Sequence, residues 1–144
     1  MDEIRLYENK EVRSIWDEEQ EEWYFSVVDV VGVLSESKNP TDYLKKMRKR
    51  DEQLALYIGT NCPQVVMKSS DGKKRKVLAG NMKDIFRIIQ EIRQEGITVV
   101  IVEQNARQTL HTADYGYVLE IGKIKMHGKA EDLLQDKRLI EAYL

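Results

Sequence analysis

Few residues in this 144-residue chain have the types and spacing that chemistry needs. Asp17, Glu18, Glu19, Glu21 and Glu22 crowd carboxylates together, the raw material of a paired acid–base site or a calcium loop. No glycine supplies the sharp turn of a calcium loop, and the acids do not recur at a ligand period, so a solvated hairpin loop is the better reading. His111 and His127 have no serine or cysteine nucleophile at a suggestive position, and with the single Cys62 they make no metal-ligand spacing. Cys62, next to Pro63, reads as a small, partly buried side chain. Gly72-Lys73, Gly122-Lys123 and Gly128-Lys129 each lack the glycine five residues earlier that a G-x-x-x-x-G-K-[ST] loop requires. Without that loop, no row of backbone N–H groups cradles a phosphate. These residues predict no catalytic site, no metal and no cofactor.

The remaining chemistry is electrostatic. The chain carries a net charge of −2, but unevenly. Residues 1–40 hold 4 Lys/Arg against 11 Asp/Glu, residues 41–80 hold 10 against 4, and residues 81–144 hold 9 against 10. The middle block is the one candidate surface for an acidic partner. Its cations fall in two groups, Lys45, Lys46, Arg48, Lys49 and Arg50, and then Lys73, Lys74, Arg75 and Lys76. Each cation placed near a phosphate releases condensed counterions, so both groups are candidate DNA-binding residues. The bland alternative is a solvated helix face and a lysine-rich edge that resists aggregation.

The elements that must position these groups follow from periodicity. Glu11–Trp16 and Glu22–Ser26 read as strands joined by the acidic loop. Trp16, Trp23 and Tyr24 on them are more plausibly core than base-stacking platforms. Ser26 with Asp29 forms a capping box for a short helix through Leu34, which is apolar nearly all round and should be central. Asn39-Pro40-Thr41-Asp42 opens the basic helix, and Asp51 ends it or caps a short helix bearing Leu54, Leu56 and Tyr57. Val65–Ser69 and Lys74–Leu78 flank Asp71-Gly72, a strong hairpin signal. Asn81 and Asp84 start a helix whose Met82, Ile85, Phe86, Ile88, Ile89 and Ile92 recur at helical spacing, with Gly96 as its stop. Ile97–Val102 is a continuous β-branched run that reads as a strand covered on both sides. Asn105 caps a helix through Ala113, with Ala106, Thr109, Leu110 and Ala113 inward. Tyr115–Glu120 and Lys123–His127 form a hairpin around Ile121-Gly122, and Ala130–Leu134 and Lys137–Leu144 close the chain as short helices.

Composition is that of a globular protein, 42% hydrophobic and 33% charged. No apolar run approaches the roughly 20 residues that span a bilayer. The polar N-terminus is unlike a signal peptide, so no membrane insertion and a cytoplasmic location are expected. The expected fold class is α+β: a small N-terminal hairpin-plus-helices unit over 1–77, joined to a partial α/β segment over 78–144.

Two resemblances divide the chain at that point. The stretches VRSIWDEEQEEWYFSVVDVVGVLSES, NPTDYLKKMRKR and TNCPQVVMKSSDGKKRKV resemble the BRO-type N-terminal domain of phage antirepressors and baculovirus-repeat proteins. Trp23, Tyr24, Phe25, Asp29 and Val30 match its strand–helix signature. This resemblance implies DNA binding in a phage or mobile-element setting. From Leu78 on, DIFRIIQEIRQEGITVVIVEQNARQTLHTADYGYVLEIGKIKMHGKAEDLLQDKRLIEAYL is similar to the C-terminal end of an ABC-transporter ATPase of the branched-chain amino-acid importer subfamily. There Gln104 occupies the switch position near the γ-phosphate, while the helix and hairpin that follow are scaffold. The subfamily's phosphate loop and LSGGQ signature, and the Asp-Glu pair that ends its second catalytic strand, are missing from this sequence, so hydrolysis has no obvious metal ligand and no base.

The expected protein is therefore a fusion that is not an enzyme. Its main expected activity is DNA binding of the antirepressor type. The alternatives are a protein-interaction or dimerisation remnant of an amino-acid transporter ATPase, docking onto such an ATPase, and a regulator that binds a repressor protein. Ile97–Val102 would lack its usual parallel neighbours, so it must pair with the N-terminal strands, with the later hairpin or with a second copy as a homodimer. A single α+β core containing both halves is the other expectation.

Overall fold

The computed structural model describes residues 2–7 and 10–143, with side chains over 11–143. The chain forms two compact units, Met1–Val99 and Val100–Leu144, not one shared core.

The first unit is an antiparallel sheet carrying helices. Strands β1 (Asp2–Tyr7), β2 (Lys10–Asp17) and β3 (Glu22–Ser26) are followed by helices α1 (Val27–Ser35), α2 (Pro40–Arg50) and α3 (Glu52–Asn61). The hairpin β4 (Gln64–Lys68) and β5 (Lys74–Gly80) and the helix α4 (Met82–Gln94) complete it. The strand order is β1-β2-β3-β5-β4, and every pairing is antiparallel. β1 has no counterpart among the expected elements: its alternating Ile4 and Leu6 are too few to stand out among charged neighbours.

Local chemistry explains the helices. Ser26 Oγ accepts from Asp29 N at 3.4 Å and Asn39 Oδ1 from Asp42 N at 3.1 Å, while Asp51 accepts from Leu54 N at 3.0 Å. α4 has a complete reciprocal capping box between Asn81 and Asp84. Val27 and Val31, one turn apart on α1, are fully buried, as are Met47, Leu54, Ile58, Met67, Ile88 and Ile92 of the same unit. α1 is packed against β2, β3, β5, α2 and α4, as its apolar surround predicts. Gly32 permits a close approach of α1 to α2, since a Cβ there would lie 2.8 Å from Pro40 Cγ at the start of α2.

The second unit holds α5 (Ala106–Thr112), the hairpin β6 (Tyr115–Glu120) and β7 (Lys123–Lys129), α6 (Ala130–Leu133) and α7 (Lys137–Tyr143). Leu110, Ala130, Leu133 and Leu139 form its core, with Ala113, Val118, Met126 and Leu134 against them. Gly116 sits close to that contact: an added Cβ would meet Leu133 Cδ1 at 2.8 Å and Leu110 Cδ2 at 2.9 Å, so both leucine side-chain ends would have to shift. Ile121 and Gly122 turn the hairpin with φ of 50° and 71°, both left-handed, as a two-residue type I′ turn demands.

Ile97–Val102 corrects the sequence reading. It forms no strand and is not covered on both sides: Val100 is 83% exposed and Val102 96%. Among the described residues none pairs with it: β6 pairs with β7, and the five-stranded sheet consists of β1 to β5. An apolar run is buried as a strand only when neighbouring strands exist to cover it.

Candidate interaction surfaces

The best-organised polar cluster ties β2 to the start of α1. Arg13 donates from Nε to Asp29 Oδ2 at 2.7 Å, from Nη2 to Asp29 Oδ1 at 2.8 Å, and from its backbone N to Asp29 Oδ2 at 3.1 Å. The same guanidinium reaches Ser69 Oγ at 3.2 Å and Ser26 Oγ at 3.4 Å. Both side chains are largely buried, 16% and 15% exposed. The hydrogen bonds to Asp29 raise the Arg13 pKa against the opposing effect of burial. Asp29, read as the reciprocal half of a capping box, thus spends its carboxylate on Arg13, and only the Ser26 half of that box forms. An open hollow beside the pair is lined by Val28, Gly32, Val33 and Pro40. Glu11 and Lys38 also line it; Arg13, its one buried cation, is already committed to Asp29, so that pair serves to join the two elements.

A second cluster joins α3 to α4. Tyr57 Oη donates to Asp84 Oδ1 at 2.8 Å, and burial followed by this carboxylate pushes the Tyr57 pKa to about 12. Cys62 is buried beside it. Burial, with Asp84 adding to it, pushes the thiol to about 12, which makes it inert as a nucleophile.

Lys45, Lys46, Arg48, Lys49 and Arg50 are all exposed along α2, and Lys73, Lys74, Arg75 and Lys76 along the β4–β5 turn and the outer half of β5. Not all of these charges are available. Arg50 is paired with Glu95, which also accepts from Tyr43 Oη; Lys46 pairs with Asp42 at 3.0 Å and Arg75 with Asp71 at 2.6 Å. Arg75 also holds the Asp71 carboxyl down to about 2. Among the described residues, Lys45, Arg48, Lys49, Lys73, Lys74 and Lys76 have no ion-pair partner. α2 packs on α1 and α3, and the basic hairpin pairs through β5 onto β3, so the two groups belong to different layers of the unit.

The acidic loop turns on itself: Asp17 accepts from Glu19 N at 2.9 Å and Gln20 N at 3.0 Å. No group of three or more metal-ligating residues forms among the described residues. Trp16 and Trp23 make an edge-on cross-strand pair with centroids 5.6 Å apart, and both are partly covered.

In the second unit, Gln104 is exposed in the turn before α5, its backbone N donating to Glu103 at 2.7 Å. The hairpin has two unlike faces. Gly116, Val118 and Met126 turn toward the core, while Tyr115, Tyr117, Leu119, Ile124 and His127 are exposed. Register puts Tyr117 opposite His127 and Leu119 opposite Ile124. The Tyr117 and His127 rings stack at 5.6 Å, and Tyr115 Oη hydrogen-bonds His127 Nδ1 at 2.7 Å. Sequence reasoning misses this aromatic and aliphatic face. The alternation of Tyr115, Tyr117 and Leu119 signals one shared face, but period-two spacing does not say which face the core takes.

Part of the chain is similar to the ATP-binding proteins of ABC transporters. The high-affinity branched-chain amino acid transport ATP-binding protein BraG of Pseudomonas aeruginosa is 49% identical over 63 residues, 44% of this chain and 27% of that protein. The lipopolysaccharide export system ATP-binding protein LptB of Escherichia coli K12 is 36% identical over 61 residues, 42% of this chain and 25% of that one. An uncharacterised ABC transporter ATP-binding protein of Rhizobium meliloti is 30% identical over 64 residues, 44% of this chain and 24% of that one. The chain thus spans about a quarter of the length of the curated relatives it matches. No protein-family model and no solved structure matches it, so the antirepressor resemblance of residues 1–77 rests on its residues alone. Among the described residues, no helix is long and apolar enough to cross a membrane.

Proposed function

We propose that this chain is a non-catalytic interaction protein whose ATPase-like segment docks onto the ATP-binding subunit of an ABC transporter. The observation that carries this reading is the outer face of β6–β7, where Tyr117, Leu119 and Ile124 are exposed together in the part of the chain whose residues resemble such subunits. Exposed apolar side chains that strand register brings side by side supply the kind of surface an interaction site uses. The sequence itself holds no phosphate loop, so the proposed role needs no nucleotide chemistry. The test mixes the purified chain with a branched-chain amino-acid transport ATP-binding protein and follows complex formation by light scattering. A complex that is abolished by Leu119→Glu and Ile124→Glu is expected. Absence of a complex at micromolar concentrations, or ATP turnover by the chain alone, would reject the reading. Self-association through the uncovered Ile97–Val102 belongs to the same interaction role.

The exposure of Lys45, Arg48, Lys49, Lys73, Lys74 and Lys76 without ion-pair partners favours a second reading, DNA binding by the first unit. Lys49→Glu with Lys74→Glu should then weaken duplex binding and lower the salt slope by about 0.9 for each phosphate that is no longer neutralised. Fluorescence anisotropy across salt reads both quantities, and unchanged affinity removes this reading.

A further inference from the structure

The segment between α4 and α5 has the character of a strand without a partner. Ile97, Val99 and Ile101 are half-buried, and Thr98, Val100 and Val102 are exposed, which is the period-two alternation of a sheet residue run. Five of these six residues are β-branched aliphatics, the sixth is threonine, and none is charged. Among the described residues, no backbone N–H or C=O group of Ile97–Val102 has a backbone partner. Such a segment is a template for β-pairing, and it contains none of the lysine, proline or inward charge that protects an edge.

The pattern also selects the partner and the register. A segment with no charge and a repeated β-branched face is complementary to itself. A two-fold axis perpendicular to a β-ribbon brings like faces together, so directly opposed residues must be both odd-numbered or both even-numbered. Gly96, at φ 86°, cannot continue a strand, so pairing starts at Ile97. Centring on Val99 uses only Ile97–Ile101 and leaves Val102 unpaired. Centring on Ile101 leaves Ile97 and Thr98 unpaired. Centring on Val100 pairs the whole of residues 97–103, with Ile97 opposite Glu103. In-register parallel pairing would stack Glu103 against Glu103.

We propose that two copies of this chain pair antiparallel through Ile97–Val102, with Val100 opposite Val100 on the two-fold axis. This rests on the interaction role proposed above. In this register the two Val100 Cα atoms lie about 4.5–5.5 Å apart, within disulfide reach. The two Val99 Cα atoms are offset to about 7–8 Å, at or beyond it.

The test uses the full chain with native Cys62, which is buried. Light scattering first gives the oligomeric state of the unsubstituted protein. Val100→Cys, Val99→Cys and Thr98→Cys are then oxidised mildly and run on non-reducing gels. The expected result is a dimer, with covalent dimer from Val100→Cys at least about tenfold more abundant than from either other variant. Thr98→Cys, exposed like Val100, keeps the control valid if substitution at the half-buried Val99 disturbs folding. A monomer overturns both the pairing and self-association in general, while docking onto a transporter subunit is judged separately by its own complex. A dimer in which Val99→Cys cross-links, all three positions cross-link, or none does, overturns this register but leaves self-association standing.

Discussion

At the scale of single residues, Asp29 shows how one side chain can be read correctly by type and wrongly by partner. Its place three residues after Ser26 marks a helix start, and a helix does start there. Its carboxylate, however, is held by the guanidinium and backbone N–H of Arg13, 16 residues earlier in the chain. Breaking a largely buried pair leaves an uncompensated charge, so Asp29→Ala should destabilise the first unit by about 2–4 kcal/mol. Arg13→Lys, which keeps the charge but loses the fork, should cost less. Urea unfolding followed by circular dichroism measures both. Cys62 gives a pH-dependent counterpart. Its thiol stays protonated in the folded chain up to about 12, whereas an unfolded thiol ionises near about 8.5. This group's contribution to stability is therefore complete below that unfolded value and declines as pH rises toward 12. At pH 8 a thiol reagent should label the native chain far more slowly than the urea-unfolded one; equal rates would show that the thiol is open to solvent.

At the scale of elements, most boundaries are legible because caps and turns are local. Asn39, Asp51, Asn81 and Asn105 each accept from the backbone N–H three residues on, and each starts a helix. The turn at Ile121-Gly122 is legible too, but it carries a cost. Isoleucine at φ 50° is a β-branched residue in the left-handed region, and it is 96% exposed. Asparagine adopts that conformation readily, so Ile121→Asn should stabilise the second unit by about 1 kcal/mol. Thermal unfolding of that unit checks this, and a lowered midpoint would contradict the turn geometry. β1 is not legible, and neither is the state of Ile97–Val102. The composition of that segment describes a buried strand, but a strand also requires a neighbour, and no local signal reports whether one is present.

At the scale of the whole molecule, the change of resemblance near residue 78 and the structural division at Val99/Val100 fall at different places. α4 lies between them and packs with β3, β5, α1 and α3 of the first unit. Asn81 at its cap donates to Glu22 Oε1 at 3.1 Å, and Ile88 and Ile92 are fully buried. Hydrogen exchange should therefore show strong protection in α4 at any protein concentration. Ile97–Val102 should exchange freely in dilute solution and gain protection as concentration rises and copies pair. Mass-spectrometric exchange at two concentrations separates these outcomes, and concentration-independent protection of the segment would argue against pairing between copies.

The sequence by itself determined the helices, most of their caps, the hairpin turns at the acidic loop, Asp71-Gly72 and Ile121-Gly122, the run of cations and the lack of a phosphate loop, because each depends on residues a few positions apart. The tertiary structure decided what depends on distant partners. It placed Asp29 on Arg13, gave Arg50 and Arg75 their carboxylates, turned Tyr117, Leu119 and Ile124 outward, and left Ile97–Val102 uncovered. Those outcomes turn on which surfaces meet, and a β-branched run or a cation has the same local pattern whether or not anything meets it.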